Sequence, residues 1–96
     1  MMWKHIPYTI VTHHQAARFL DQLAKSQPRD HQHIDQALYT LALYKTHPKT
    51  KALTGEFRGY LSTRVRKKYR IIFQFDHDEG KLYVLEIAYR KDVYHP

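Results

Sequence analysis

At 96 residues, 43% hydrophobic and without cysteine, the chain can form one small core, and it excludes a disulfide framework, a thiolate metal site and a thiol nucleophile. Its formal net charge of +7 points to a polyanionic partner, and abundant aromatics with only three glycines and four prolines argue against disorder. No apolar run approaches the roughly 18 residues of a membrane span and no secretory pattern opens the chain, so one domain (1–96) is expected, cytoplasmic and free of membrane contact.

Taken in order, Tyr8-Thr9-Ile10-Val11-Thr12 is β-branched and aromatic and predicts a short strand. Trp3 before it is expected to pin that strand to the core. From about His14 to Ala24 the pattern turns helical, with Ala16, Ala17, Leu20, Leu23 and Ala24 on one side. Ser26-Gln27-Pro28-Arg29 predicts a turn, and Asp30 the N-cap of a second helix. That helix would bury Ile34, Ala37, Leu38, Leu41 and Tyr44 and end near Lys45, because Pro48 disfavours helix just before it.

The second half predicts three strands: Leu61 to Arg66, Tyr69 to Phe75, and Lys81 to Tyr89. The last two are joined by Asp76-His77-Asp78-Glu79-Gly80, with Gly80 left-handed. In the middle strand Tyr69, Ile71, Phe73 and Phe75 point one way and Arg70, Ile72 and Gln74 the other. In the last strand Tyr83, Leu85, Ile87 and Tyr89 are expected to face the helices, with Val84, Glu86, Ala88 and Arg90 opposite. The expected fold is α+β: a short N-terminal strand, two packed helices, then a mainly antiparallel three-stranded meander in the order β-α-α-β-β-β.

Charge is uneven along this frame. Residues 1–48 hold five Lys/Arg against three Asp/Glu, and residues 49–96 hold eleven against six. Between Glu56 and Asp76 there is no carboxylate, while Arg58, Arg64, Arg66, Lys67, Lys68 and Arg70 fall in that interval. Strand parity puts Ser62, Arg64 and Arg66 on the open face, with Arg70 beside them and Arg90 at the end of the last strand. Neighbouring strands lie about 5 Å apart, so Arg64, Arg70 and Arg90 are expected to converge. Converged guanidiniums suit phosphate, and suit still better the extra charge of the phosphorane formed in RNA cleavage. The plainer reading is a solubilising face with Glu86 as counterion.

Other groups carry weaker signals. His13-His14 and His31-x-His33 do not share a helix face or complete a ligand set, so no metal and no cofactor is expected. Tyr60 and Tyr89 flank the basic face and either stack on bases or pack in strands. Lys49 and Lys51, with Arg58, Arg66, Lys67 and Lys68, are expected to contact RNA backbone.

The elements Leu53-x-Gly55, Gly59-Tyr60-Leu61-Ser62-Thr63-Arg64-Val65, Tyr69-Arg70-Ile71-Ile72-Phe73 and Arg90-Lys91-Asp92-Val93-Tyr94, with the two-helix segment before them, resemble the RelE/ParE toxin superfamily. The Gly-Tyr-x-Ser-x-Arg-Val strand is also similar to the HigB branch, and the C-terminal ending is more like RelE. Similarity to RelE implies a ribosome-dependent endoribonuclease, the toxin of a type II toxin–antitoxin pair, cutting mRNA in the ribosomal A site. It implies as partners the ribosome with its mRNA and a cognate antitoxin, in a heterotetrameric or higher complex. By motif position Arg70 would stabilise the scissile phosphate, Arg90 would be its second ligand, and Tyr94 would stack on a base or orient the attacking 2′-hydroxyl. Arg64 would take the place of a basic residue on the preceding strand, where RelE carries two lysines. Arginine stays protonated and makes a poor base, so His95 is the candidate for proton transfer; the YoeB branch ends on a similar pair in reverse order. Two alternatives keep the fold: a ParE-like inhibitor of DNA gyrase, and a non-catalytic nucleic-acid-binding relic acting with its antitoxin.

Overall fold

The computed structural model describes residues 6–47 and 49–93. Strand β1 (Thr9–Thr12) leads into α1 (His14–Ser26) and α2 (Pro28–Tyr44), followed by β2 (Lys51–Ala52), a 3-10 turn (Gly55–Phe57), β3 (Leu61–Val65), β4 (Tyr69–Asp76), β5 (Lys81–Tyr89) and α3 (Arg90–Val93). The five strands form one mixed sheet in the order β1-β5-β4-β3-β2. Strands β2 to β5 pair antiparallel, whereas β1 runs parallel to β5, a pairing that needs the helical crossover between them. Among the described residues no helix is long and apolar enough to cross a membrane.

Both helices lie on one face of the sheet. Ala16 and Leu23 of α1 and Ile34, Ala37, Leu38, Leu41 and Ala42 of α2 pack on Val65, Tyr69, Ile71, Phe73, Leu82, Val84 and Ile87. Burying side chains such as Phe73 and Ile71 completely contributes about 1.5–3 kcal/mol each. Ala24 and Tyr44, expected to face inward, are exposed. Each sits about 80° round its helix from the first buried residue of its stripe, at the margin of the apolar face. Phe19 packs against the core instead.

The helix junction is tighter than expected. Only Gln27 separates α1 from α2, and Pro28 opens α2, where its fixed φ and missing N–H cost nothing. Asp30 is therefore inside the first turn of α2 and is not its N-cap. Its carboxylate accepts instead from the Tyr69 hydroxyl at 2.6 Å and from Lys68 Nζ at 3.1 Å.

A bulge changes the phase of β5. Ile72 lies opposite Glu86 but Phe73 opposite Val84, so Leu85 is an extra residue. Val84 thereby turns to the helices, and Leu85 joins Leu53, Phe57, Tyr60, Ile72 and Ala88 in an apolar cluster on the other face. The expected inward placement of Tyr83 and Leu85, and outward placement of Val84, fails for this reason. Beyond the bulge Ile87 and Tyr89 face the helices as expected. The outer edge of β5 there is served by Gln15, whose amide donates to Ile87 O at 2.8 Å and accepts from Ile87 N–H at 3.0 Å.

Both hairpin turns of the β3–β4–β5 meander use left-handed residues. Gly80, at φ 66°, closes the β4–β5 hairpin as the sequence predicts. The β3–β4 turn instead places Arg66 and Lys67 at φ 60° and 61°, which costs on the order of 1 kcal/mol for each side chain with a Cβ.

Candidate active site

Strand β3 ends at Val65, and its pairing with β4 sets Arg64 directly opposite Arg70 and Ser62 opposite Ile72. Strand β2 sets Lys51 opposite Ser62. Arg90 opens α3 at the end of β5, its backbone N–H donating to Lys68 O at 2.9 Å. The result is a cleft of about 160 Å³ on the open face, lined by Lys49, Lys51, Ser62, Arg64, Arg70 and Arg90. Among the described residues its lining contains no carboxylate. The three arginines that strand parity brings together do meet. Lys49 and Lys51, expected only to touch RNA backbone, join them because two residues of β2 lengthen the sheet past β3.

Arg70 is 6% exposed, and its Nη1 donates to the buried Ser62 hydroxyl at 3.4 Å. A guanidinium so stripped of water meets an arriving anion at reduced dielectric, where the attraction is stronger than on an open surface. Arg64 is half-buried and Arg90 exposed, so the cleft runs from a buried cation at its floor to more exposed ones at its rim.

The other expected residues are distributed differently. Arg66 is in the turn after β3 and leaves the open-face row; it lines a recess of about 280 Å³ with His33, Gln36, Thr40, His47 and Arg64. Lys67 and Lys68 line a second recess of about 690 Å³ with Tyr89, Arg90 and Lys91. Arg58 is exposed and lines none of these three. Tyr60 packs in the open-face apolar cluster, and Tyr89 lies against Phe19 and Tyr69 at ring distances of 5.6 and 5.3 Å, so packing accounts for both. Trp3, Pro48, Tyr94 and His95 lie outside the described residues.

Asp30 is the supporting residue that sequence reasoning missed. The bond from Tyr69, then that from Lys68, holds its carboxyl below the usual value of 3.8, while burial and the same bond push the Tyr69 hydroxyl well up. Tyr69 immediately precedes Arg70, so this contact ties the start of β4 to α2. Only its distance of 39 positions from Tyr69 hides it in the sequence. Nearby, His47 Nδ1 and Thr63 Oγ1 hydrogen-bond at 2.8 Å, and burial lowers the His47 pKa from 6.5.

No protein-family model and no curated protein matches the chain. Solved structures do. A chain of the toxin–antitoxin complex RelBE2 from Mycobacterium tuberculosis is 26% identical, with 91% of this chain and 95% of that chain covered and a TM-score of 0.70. The YoeB/ParE toxin from Agrobacterium tumefaciens is 15% identical over 85% of this chain and 98% of that one, with a TM-score of 0.77. The YoeB–YefM complex from Staphylococcus aureus matches at 16% identity over 95% of this chain and 100% of that one, with a TM-score of 0.72. The latter two agree with the fold, and the first adds sequence likeness across nearly the whole domain. Together with the order of elements, these matches place the chain in the RelE/ParE toxin superfamily.

Proposed function

We propose that this chain is the toxin of a type II toxin–antitoxin pair and a ribosome-dependent mRNA endonuclease. The observation that carries the reading is the cleft of five cations and one serine, lined by no described carboxylate. In the reaction the ribose 2′-oxygen attacks the adjacent phosphorus, its proton passes to a base, and the P–O5′ bond breaks as the leaving 5′-oxygen takes up a proton. The products are a 2′,3′-cyclic phosphate and a 5′-hydroxyl. Arg70 holds the non-bridging oxygens as charge builds on them, with Arg64, Arg90, Lys49 and Lys51 adding to the field. Tyr94 orients the 2′-hydroxyl and His95 moves the proton. No metal or other cofactor takes part in this scheme.

In-line attack needs a bent strand, and a ribosome that supplies the bend explains why free RNA should be cut weakly. A cognate antitoxin is the natural partner of such a chain. The Staphylococcus aureus YoeB–YefM complex, a heterotetramer of the same fold, supports that assembly. The chain acts in the cytoplasm, where ribosomes are.

The test is induced expression with primer-extension mapping of a reporter mRNA, wild type beside Arg70→Ala. New 5′ ends that require translation of the message and vanish in the variant are expected. Growth arrest with intact message would overturn the nuclease reading in favour of a gyrase poison, and absence of arrest would leave a binding module.

A further inference from the structure

The tip of the β3–β4 hairpin is built against its own backbone preference. Arg66 and Lys67 are consecutive left-handed residues, with Lys68 N–H returning to Val65 O at 3.2 Å. Two successive positive φ values closed by such a bond are what a type I′ turn requires, and Asn-Gly adopts them most readily. Elsewhere the chain does use glycine at left-handed positions, at 55, 59 and 80. The other left-handed non-glycine among the described residues, Lys45, puts its side chain to internal use: Nζ donates to Ile6 O and Leu43 O and lies 4.4 Å over the Tyr8 ring. Arg66 and Lys67 are exposed, and neither bonds to any described residue. Nothing among the described residues offsets their strain, and strain kept at a surface turn points to a use outside the chain.

The tip is nonetheless held firmly from behind. Lys68 Nζ bonds Asp30 at 3.1 Å and Gln27 at 3.3 Å, Tyr69 bonds the same carboxylate, and Arg90 N–H bonds Lys68 O. In front of that anchor the two free cations diverge. Arg66 enters the recess that shares Arg64 with the cleft, and Lys67 the recess that shares Arg90 with it. The three concavities therefore form one basic band with the cleft in the middle. The wider recess adds Lys68, Arg90 and Lys91 to Lys67 and adjoins the cleft that takes the scissile phosphate, so the continuous charge suits a nucleic-acid strand better than a separate acidic peptide.

We propose that the Arg66–Lys67 tip is a second phosphate-binding element, taking RNA phosphodiesters other than the one that is cut. The inference rests on the RNA-cleaving reading above. The same chemistry has two sources, the flanking nucleotides of the message and the RNA of the ribosome itself.

The test replaces the tip with the preferred turn, Arg66→Asn with Lys67→Gly, and measures thermal unfolding and RNA binding on the same protein. Binding is read as log affinity against log salt, with a short single-stranded RNA in one arm and empty ribosomes in the other. The variant is expected to melt several degrees higher, yet to lose about 1.4 to 1.8 from the salt slope, the share of two phosphate contacts. A loss confined to the oligonucleotide assigns the tip to the message, and one confined to ribosomes assigns it to ribosomal RNA. Arg66→Gln with Lys67→Gln keeps the strained backbone, and should show the slope loss at unchanged melting temperature. If the wild type binds RNA and neither pair of substitutions alters the slope in either arm, the proposal is overturned while the nuclease reading stands. A wild type that binds neither probe removes both.

Discussion

Removing one oxygen atom, in Tyr69→Phe, tests the contact that ties β4 to α2. The Tyr69 side chain is fully buried and donates to Asp30 at 2.6 Å, so the ring loses no packing and only the hydrogen bond disappears. Hydrogen bonds to charged groups contribute roughly 1.5–3 kcal/mol. The carboxylate remains 20% exposed and keeps its contact with Lys68, which places the loss near the lower end, about 1.5 kcal/mol. For a domain of this size that is a fall in Tm of about 6–12 °C. The pH dependence follows from the two shifts. Asp30 has its folded pKa depressed, so its contribution is present above 3.8 and is lost as pH falls through the lower folded value. Tyr69 has its folded pKa raised, so its contribution is full below 10.0 and fades as pH rises toward the folded value. Wild type and Tyr69→Phe should thus differ most between about pH 4 and pH 10. Circular-dichroism melts at pH 3, 5, 7 and 9 measure this. A Tm difference below about 2 °C at pH 7, or one as large at pH 3 as at pH 7, would refute the reasoning.

Arg70→Lys keeps the charge but loses the planar fork; cleavage on ribosomes should fall about 10²–10³-fold while ribosome binding changes little, which single-turnover kinetics beside a sedimentation assay would separate. Equal cleavage by the two proteins would remove Arg70 from the transition state. His47, neutral and bonded to Thr63, should titrate below 6.5 in an NMR pH series, with its stability contribution intact above 6.5 and lost as pH falls through the folded value; a midpoint at or above 6.5 contradicts this. Gly80→Ala should cost about 1 kcal/mol and several degrees of Tm through φ 66° alone, because the nearest atom to an added Cβ is Tyr8 Cδ1 at 3.8 Å. An unchanged melt would mean that the turn relaxes.

Alternation along β4 could be read directly, because side chains on a strand alternate whatever lies around them. It assigned Tyr69, Ile71 and Phe73 to the helices and Arg70 and Ile72 to the other face, and the Arg64–Arg70 pairing followed from the short turn between β3 and β4. Gly80 was legible for the same local reason, as was the stripe from Ile34 to Leu41. The limits of locality appear one strand later. The bulge at Leu85 answers to partner strands, so parity carried through β5 from its own residues alone went wrong at Tyr83, Val84 and Leu85. Two-residue β2 has too few positions for any period to show, yet it sets Lys51 opposite Ser62 and adds Lys49 and Lys51 to the cleft. Asp30 looked like a helix cap because its immediate neighbours suit one; its partner Tyr69 is 39 residues away. The amino-acid order by itself thus determined the faces of β4, the two helices and the meeting of Arg64 with Arg70, since these depend on chain geometry over a few residues. The tertiary structure alone decided how deep Arg70 sits, which lysines join it and what braces the turn, because each depends on groups that only folding brings together.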